Sequence, residues 1–136
     1  MDSVLRGWVI GHLLGQAINR RREAQPRWCA IAYSGLSGMA WSWNHRSARP
    51  AEHAALGHYQ GAHPRLWACG AKITIAVSRG PRDVFACQWA DPRLATHACT
   101  GALTHCQATY PPDDPDRHQV WLALVLDARH GVLYQH

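Results

Sequence analysis

The stretch that most constrains this chain is residues 28–43, which has the pattern of a β-hairpin. Two runs rich in aromatic and strand-forming residues flank a short turn at 35–38 that contains two glycines. A register that places Ala32 opposite Trp41 lets each indole of the second strand face a methyl group of the first. The sequence therefore predicts an antiparallel hairpin with alanine–tryptophan pairs on one face.

The pattern of this hairpin returns further along the chain. Residues 121–134 align with residues 28–41 without a gap, and residues 72–89 form a looser copy around a turn at 79–82. Self-similar segments of this kind are typical of a fold assembled from repeated units. The sequence therefore predicts three hairpins with other segments between them.

The segments between the hairpins have helical spacing and are rich in alanine. Ser47 and Pro50 provide a typical helix start for the first segment, and Asp91 with Pro92 provides one for the second. Small side chains allow a helix to lie close to a sheet. We therefore expect the two helices to cover one face of the predicted antiparallel sheet.

The length of 136 residues suits a single domain. We predict an α+β fold in which three β-hairpins form antiparallel sheet and two Ala-rich helices follow the first two hairpins. The predicted parts are an N-terminal helix at 3–22, a first hairpin–helix unit at 27–61, a second at 67–107 and a C-terminal hairpin at 119–136.

The chain is basic, and its positive charge comes almost entirely from arginine. Fourteen basic and nine acidic residues give a formal charge of +5, and Lys72 is the single lysine. Arginine suits planar, bidentate contacts with carboxylates and phosphates. The arginines are scattered apart from the cluster at 20–22. A basic, aromatic-rich protein that binds nucleic acid is therefore an alternative function, but no specific nucleic-acid partner is predicted.

The N-terminal segment lacks the pattern of an export signal or a membrane span. An acidic residue precedes the first basic one, the apolar run is broken by polar residues, and the basic cluster follows the run. The five cysteines are an odd number, so at least one cannot pair within the chain. As numbered, the sequence predicts a cytoplasmic protein with free thiols, or else a mature or engineered form of a protein.

The middle of the chain resembles domain of unknown function 4189, a family of small, mostly exported bacterial proteins. The resemblance covers about residues 27–106, and it is carried by Trp28-Cys-Ala-Ile-Ala-Tyr-Ser34, Gly38, Trp41-Ser-Trp43-Asn44, Ala51, Ala54-Ala55-Leu56, Cys69 and Phe85-Ala86-Cys87. It implies an exported, effector-like protein without assigned catalytic residues. The family pattern has a cysteine at the end of its first helix, where this chain has Tyr59.

No catalytic, cofactor or metal residues are predicted. The ten histidines and five cysteines include no Cys-x-x-Cys and no His-x-x-x-His spacing, which are the spacings that let two ligands reach one ion. The two glutamates, Glu23 and Glu52, are far apart in sequence, and no Gly-rich phosphate loop precedes a helix. We therefore expect a protein that is not an enzyme, with a cysteine-dependent enzyme as the remaining catalytic alternative.

The leading functional prediction is a protein-binding module. Seven tryptophans exceed what two small-residue helices can cover, so aromatic surface should remain for a partner. The module is either an immunity or inhibitor protein that blocks a toxin or enzyme, or a secreted effector that binds a host factor. A second copy of the chain is a further candidate partner. The predicted contact residues are Trp8, Tyr33, Arg46, Arg49, Asp113, Asp114 and Asp116.

Overall fold

The structure is a computed structural model, and it describes residues 25–34 and 38–136. The predicted N-terminal helix at 3–22, including Trp8, lies outside the described residues. So does most of the predicted hairpin turn at 35–38.

The described chain forms seven strands, two helices and two short 3-10 helices. The strands are β1 (Trp28–Tyr33), β2 (Met39–His45), β3 (Arg65–Ala71), β4 (Thr74–Arg79), β5 (Phe85–Ala90), β6 (Trp121–Asp127) and β7 (Gly131–Gln135). The helices are α1 (Ala48–His58) and α2 (Ala95–Ala108), and the 3-10 helices are Pro92–Leu94 and Pro115–Gln119. The described part of the chain contains no helix with the length and hydrophobicity of a membrane span.

The strands form two antiparallel sheets. The first sheet has the order β2-β1-β3 and the second has the order β5-β4-β6-β7. The predicted α+β class, with antiparallel sheet and two helices, is therefore confirmed. The pairing of β3 with β1 in the first sheet was not predicted, because the sequence pattern groups β3 with the hairpin that follows it.

The elements stack in four layers, in the order α1, first sheet, second sheet, α2. Alanines of α1 pack on Ala30 and Ala32 of the first sheet. Helix α2 packs through Ala98 and Ala102 on the outer face of the second sheet. The expectation that both helices cover one face is wrong, because the chain builds two sheets and each helix covers the outer face of its own.

The larger apolar side chains lie between the two sheets. Ile31 of the first sheet packs with Ile75, Val77, Leu124 and Leu126 of the second, and all five are fully buried. Burying one such side chain stabilises a fold by about 1.5–3 kcal/mol. This layer therefore holds the two sheets together, while the alanine layers set the close approach of the helices.

The register of the first hairpin differs from the predicted one by one residue. Trp41 lies opposite Ile31, and Ala32 lies opposite Ala40. The alanines thus share one face under α1, and Trp41 points to the layer between the sheets. The predicted alanine–tryptophan pairing is wrong because the helix requires a face of small residues, and a one-residue shift moves every side chain to the other face.

The two ends of the sheet stack differ in what they expose. One end carries Arg79, Phe85 and Trp121, which the register places at the ends of neighbouring strands of the second sheet. Tyr33, at the end of β1 in the first sheet, lies there too, with its ring against that of Phe85. We call this end the mouth end. The opposite end, called the far end, carries the start of β1 and the turn between β6 and β7.

Candidate functional site

A cavity of about 310 Å³ opens between the sheets at the mouth end. We call it the mouth cavity. Both sheets contribute to its walls, and most of the wall side chains are apolar or aromatic. The residues that line it are Gly38, Met39, Trp41, Arg79, Phe85, Trp121, Ala123, Gln135 and His136.

Arg79 supplies the charged group of the mouth cavity. Its guanidinium carbon lies 4.9 Å from the centre of the Phe85 ring and 6.0 Å from that of Trp121. One terminal nitrogen donates to the carboxylate of Asp83, and Nε is buried with no hydrogen-bond partner among the residues that the structure describes. The two rings therefore fix the plane of a guanidinium that retains donor capacity.

A β-bulge shapes the same wall. The register between β4 and β6 shifts between Val77 and Ser78, so one residue of β6 has no direct partner at that point. Ala123 lies at this shift and lines the cavity. Bulges bend a strand and redirect its side chains, and this one lies next to Trp121 at the start of β6.

Tyr33 extends the aromatic surface beside the cavity. Its ring centre lies 4.8 Å from those of Trp67 and Phe85, and the rings are tilted against each other. Burial raises the pKa of the Tyr33 hydroxyl, and the charges of Asp83 and Tyr59 raise it further, while Arg79 lowers it. The hydroxyl therefore stays neutral at physiological pH and offers a donor and an acceptor.

A second cavity of about 310 Å³ adjoins the first through shared residues. Gly38 and Met39 line both, and the second also involves His58, Tyr59 and the two residues that follow. The Tyr59 and Ser34 hydroxyls form a hydrogen bond of 2.5 Å beside it. This bond ties the end of α1 to the end of β1 and so supports one rim of the mouth end.

The structure separates the contact residues predicted from sequence. Tyr33 lies at the mouth end, half-buried among aromatic rings. Arg46 and Arg49 are exposed, and they lie at the far end, between β2 and the first turn of α1. Tyr33 therefore does not share a surface with these two arginines.

The predicted acidic contacts lie in the loop before β6. Asp113 is exposed, whereas Asp114 and Asp116 both form ion pairs with Arg82 of the β4–β5 turn. The Arg82 guanidinium also stacks on Tyr110, with its carbon 4.7 Å from the ring centre. Asp114 and Asp116 thus hold two mouth-end loops together.

The sequence did not predict that Arg79, Phe85 and Trp121 lie together in one site. The three belong to different strands, and they come together because Arg79 is the register partner of both Phe85 and Trp121. The sequence signal was present in part, since Trp121 begins the segment that aligns with 28–41. Only knowledge that β4 is the central strand between β5 and β6 brings them to one place.

The cysteines have the properties of structural thiols. All five lie among the described residues, and no disulfide bond joins them. Burial raises the pKa of Cys87 and of Cys106 to about 11, and burial with the nearby Glu52 carboxylate raises the pKa of Cys69 to about 11. Within the described part of the chain, no group of three potential metal ligands comes together.

These raised pKa values predict slow alkylation and a loss of stability in alkaline solution. At pH 8, a thiol with a pKa of about 11 has about 100-fold less thiolate than one with a pKa of about 9, so Cys87 should react with iodoacetamide more slowly than a peptide thiol by about that factor. The unfolded thiol ionises first as pH rises above about 9, so the contribution of burial to stability falls until pH passes about 11.

Rates measured by mass spectrometry at pH 8, and urea unfolding at pH 8 and pH 10.5, check both statements. The Cys87→Ala variant is the control, because its free energy of unfolding should lack the part of the pH dependence that the Cys87 thiol contributes. A Cys87 rate in the folded protein equal to that in urea would contradict the prediction.

Comparison of the chain with protein-family models, curated protein sequences and solved structures found no match.

Proposed function

We propose that this chain is a protein-binding module without turnover of its own, and that its docking surface is the mouth end. The observation that carries this proposal is the mouth cavity, where aromatic rings and an arginine surround an open concave site. Aromatic and arginine side chains are the commonest anchors of protein interfaces, and they act best in pockets that exclude water.

Two roles fit such a module. An immunity or inhibitor protein would cover the active surface of a toxin or enzyme, and an effector would bind a host factor after export. The resemblance of residues 27–106 to domain of unknown function 4189 favours the exported role. A second copy of the chain remains an alternative partner.

The charge distribution supports protein over nucleic acid as the partner. At the mouth end, Arg79 pairs with Asp83, and Arg82 pairs with Asp114 and Asp116. A surface that contacts phosphates needs arginines without nearby carboxylates, because each carboxylate repels the backbone of nucleic acid. Arg46 and Arg49 lie exposed at the far end. Variants of these two residues therefore serve as the comparison for variants of the mouth end.

The properties of the thiols favour a binding module and disfavour a cysteine-dependent enzyme. A catalytic cysteine acts as a thiolate, and its pKa is lowered by positive neighbours. The pKa values of Cys69, Cys87 and Cys106 are all raised instead. For Cys69 the neighbouring group is the carboxylate of Glu52, which opposes ionisation.

We also propose that the chain is built from a repeated hairpin–helix unit. The orders β2-β1-β3 and β5-β4-β6 are equivalent, and each central strand shifts register between its fourth and fifth residues. Tyr59 after α1 bonds Ser34 after β1, and Tyr110 after α2 lies against Gly80 after β4. These correspondences support two copies of one strand–strand–helix–strand unit.

Cross-linking mass spectrometry on three forms of the protein tests the proposed docking surface. The forms are the wild type, a mouth-end variant carrying Arg79→Gln and Trp121→Ala, and a far-end variant carrying Arg46→Glu and Arg49→Glu. Each is mixed with extract of the source cell and of its competitors. A partner that cross-links to the wild type and the far-end variant, but about tenfold less to the mouth-end variant, supports the mouth end.

Two outcomes would contradict the proposal, the first from the cross-links and the second from an activity assay on cysteine variants. A partner lost only with the far-end variant would move the docking surface to Arg46 and Arg49. A reaction that is measurable in the wild type and abolished by a cysteine substitution would replace the binding module with an enzyme. Circular dichroism of all three forms shows that lost cross-links do not come from unfolding.

A further inference from the structure

We infer that the mouth cavity binds a carboxylate carried on an aromatic group, with Arg79 as the partner of the carboxylate. The inference deepens the proposed function and rests on it for the source of the ligand, which is an acidic, aromatic segment presented by the protein partner. Four observations support the chemistry of the cavity itself, which can be tested without that partner.

The first observation is the size and lining of the cavity. A volume of about 310 Å³ lies at the lower end of the range of roughly 300–1,000 Å³ that is typical of small-ligand sites. Met39, Trp41, Phe85 and Trp121 offer apolar walls from both sheets. One aromatic ring that carries a carboxylate suits a site of this size, whereas the folded surface of the protein partner would remain outside it.

The second observation is that the guanidinium is held in place before any ligand arrives. The Phe85 ring, with its centre 4.9 Å from the guanidinium carbon, and the Trp121 ring, with its centre at 6.0 Å, restrict its rotation. The Trp121 ring is itself contacted by His136, with ring centres 5.9 Å apart. A fixed, planar fork of donors matches the two oxygens of a carboxylate.

The third observation is that a carboxylate already occupies part of this fork. Asp83 accepts a hydrogen bond from one terminal nitrogen of Arg79 and is 47% exposed. Exposed ion pairs contribute little to stability. Asp83 therefore acts as an exchangeable partner that a ligand carboxylate can join or replace.

The fourth observation concerns the charge that the site tolerates. Asp83 stands beside Arg79, so a dianionic phosphate would be repelled more strongly than a carboxylate with one negative charge. The apolar walls also favour a ligand whose charge is small relative to its apolar body. Both considerations select a carboxylate over a phosphate.

Titration with a matched pair of small molecules tests this chemistry directly. N-acetylphenylalanine carries the carboxylate and the ring, and N-acetylphenylalaninamide differs from it by the lost charge. We expect the acid to bind the wild type with a Kd on the order of 1 mM, given its size, and the amide to bind about tenfold more weakly. Saturation-transfer NMR and calorimetry measure both.

Three variants distinguish a binding role of Arg79 from a structural one. Arg79→Gln should remove the preference for the acid, and Arg79→Lys should retain part of it because a charge remains without the fork. Asp83→Asn should instead tighten acid binding about three- to tenfold, because it frees the guanidinium. Asn tolerates the positive φ of 56° at this position. Arg46→Gln at the far end should change nothing.

The outcomes separate this inference from the proposed function. Equal binding of acid and amide, or weaker acid binding by Asp83→Asn, would overturn the inference even if a partner docks at the mouth end. Acid-selective binding that follows Arg79, without any protein partner, would uphold the cavity chemistry and overturn the proposed function. Tight binding of an eight-nucleotide single-stranded DNA at physiological salt, lost with Arg79→Gln, would replace the carboxylate with phosphate.

Discussion

Replacing Asp127 by alanine is expected to lower the free energy of unfolding by about 3–5 kcal/mol, since donors that lose a buried acceptor cost about 1–3 kcal/mol each. The Asp127 carboxylate is fully buried at the end of β6. It accepts hydrogen bonds from the Thr74 hydroxyl at 3.1 Å and from the backbone N–H groups of Arg129 and His130 at 3.1 and 3.0 Å. Alanine removes the acceptor and leaves these donors in place.

The loss should spread beyond the β6–β7 turn, because that turn joins the two sheets. The N–H of Ala128, the next residue, donates to Ile73 O at 3.0 Å, and Ala128 O accepts from Asn44 N at 2.8 Å. Asn44 belongs to the first sheet and Ile73 precedes the second. Loosening the turn therefore weakens a backbone connection between layers as well as a local bend.

Urea unfolding monitored by tryptophan fluorescence measures the effect, and two milder variants calibrate it. Thr74→Val removes one donor and should cost about 1 kcal/mol. Asp127→Asn keeps one acceptor but brings an NH₂ group toward backbone donors. Its loss in free energy of unfolding should therefore lie between those of Thr74→Val and Asp127→Ala. A change below about 1 kcal/mol for Asp127→Ala would show that Asp127 does not hold the turn.

The parts of the fold that were predicted correctly follow from local patterns. Strand residues flanking a turn predict hairpins, and alanines at helical spacing after Ser47 predict α1, which begins at Ala48. The antiparallel α+β class follows from these elements together. Each of these inferences needs only residues that are near one another in the chain.

The division into two sheets depends on pairings between distant segments. Nothing local assigns β3 to β1, since the contact joins Ala30 to Cys69 and Tyr33 to Arg65. The register of the first hairpin also depends on distant residues, because the alanine face is selected by Ala51 and Ala55 of α1. Alternation along a strand shows that two faces differ, but it does not show which partner each face meets.

The candidate site was missed for the same reason. A single arginine among thirteen has no distinguishing sequence neighbour, and Arg79 becomes distinctive only where β5 and β6 bring Phe85 and Trp121 to its two sides. Arg46 and Arg49 were predicted as contacts because arginine is a common interface anchor, and they are also close together in sequence. Closeness in sequence placed them on one exposed surface but not near an aromatic pocket.

Replacing Gly131 by alanine should lower the free energy of unfolding by about 2–4 kcal/mol, from two separate causes. Gly131 has a φ of +84°, a conformation that costs a residue with a Cβ about 1–2 kcal/mol. An added Cβ would also lie 2.6 Å from Cε2 of the Trp43 ring, and making room for it should cost about 1–3 kcal/mol.

The chain offers a matched control for the backbone cause alone. Gly38 has a φ of +73°, and a Cβ added there would meet none of the described residues within 4 Å. Gly38→Ala should therefore cost only about 1–2 kcal/mol, as backbone strain without a clash. The difference between the two alanine variants then estimates the steric cost at Trp43.

A double-mutant cycle measures that steric cost directly. Trp43→Ala removes the ring that occupies the space beside Gly131, so in its presence Gly131→Ala should cost no more than Gly38→Ala does. Chemical denaturation of the four proteins gives the coupling energy. A coupling near zero would mean that Trp43 does not pack on Gly131, and that the β2 edge of the first sheet is not held against β7 by this contact. A coupling of about 1–3 kcal/mol would establish the indole as the side-chain link between the two sheets at this edge.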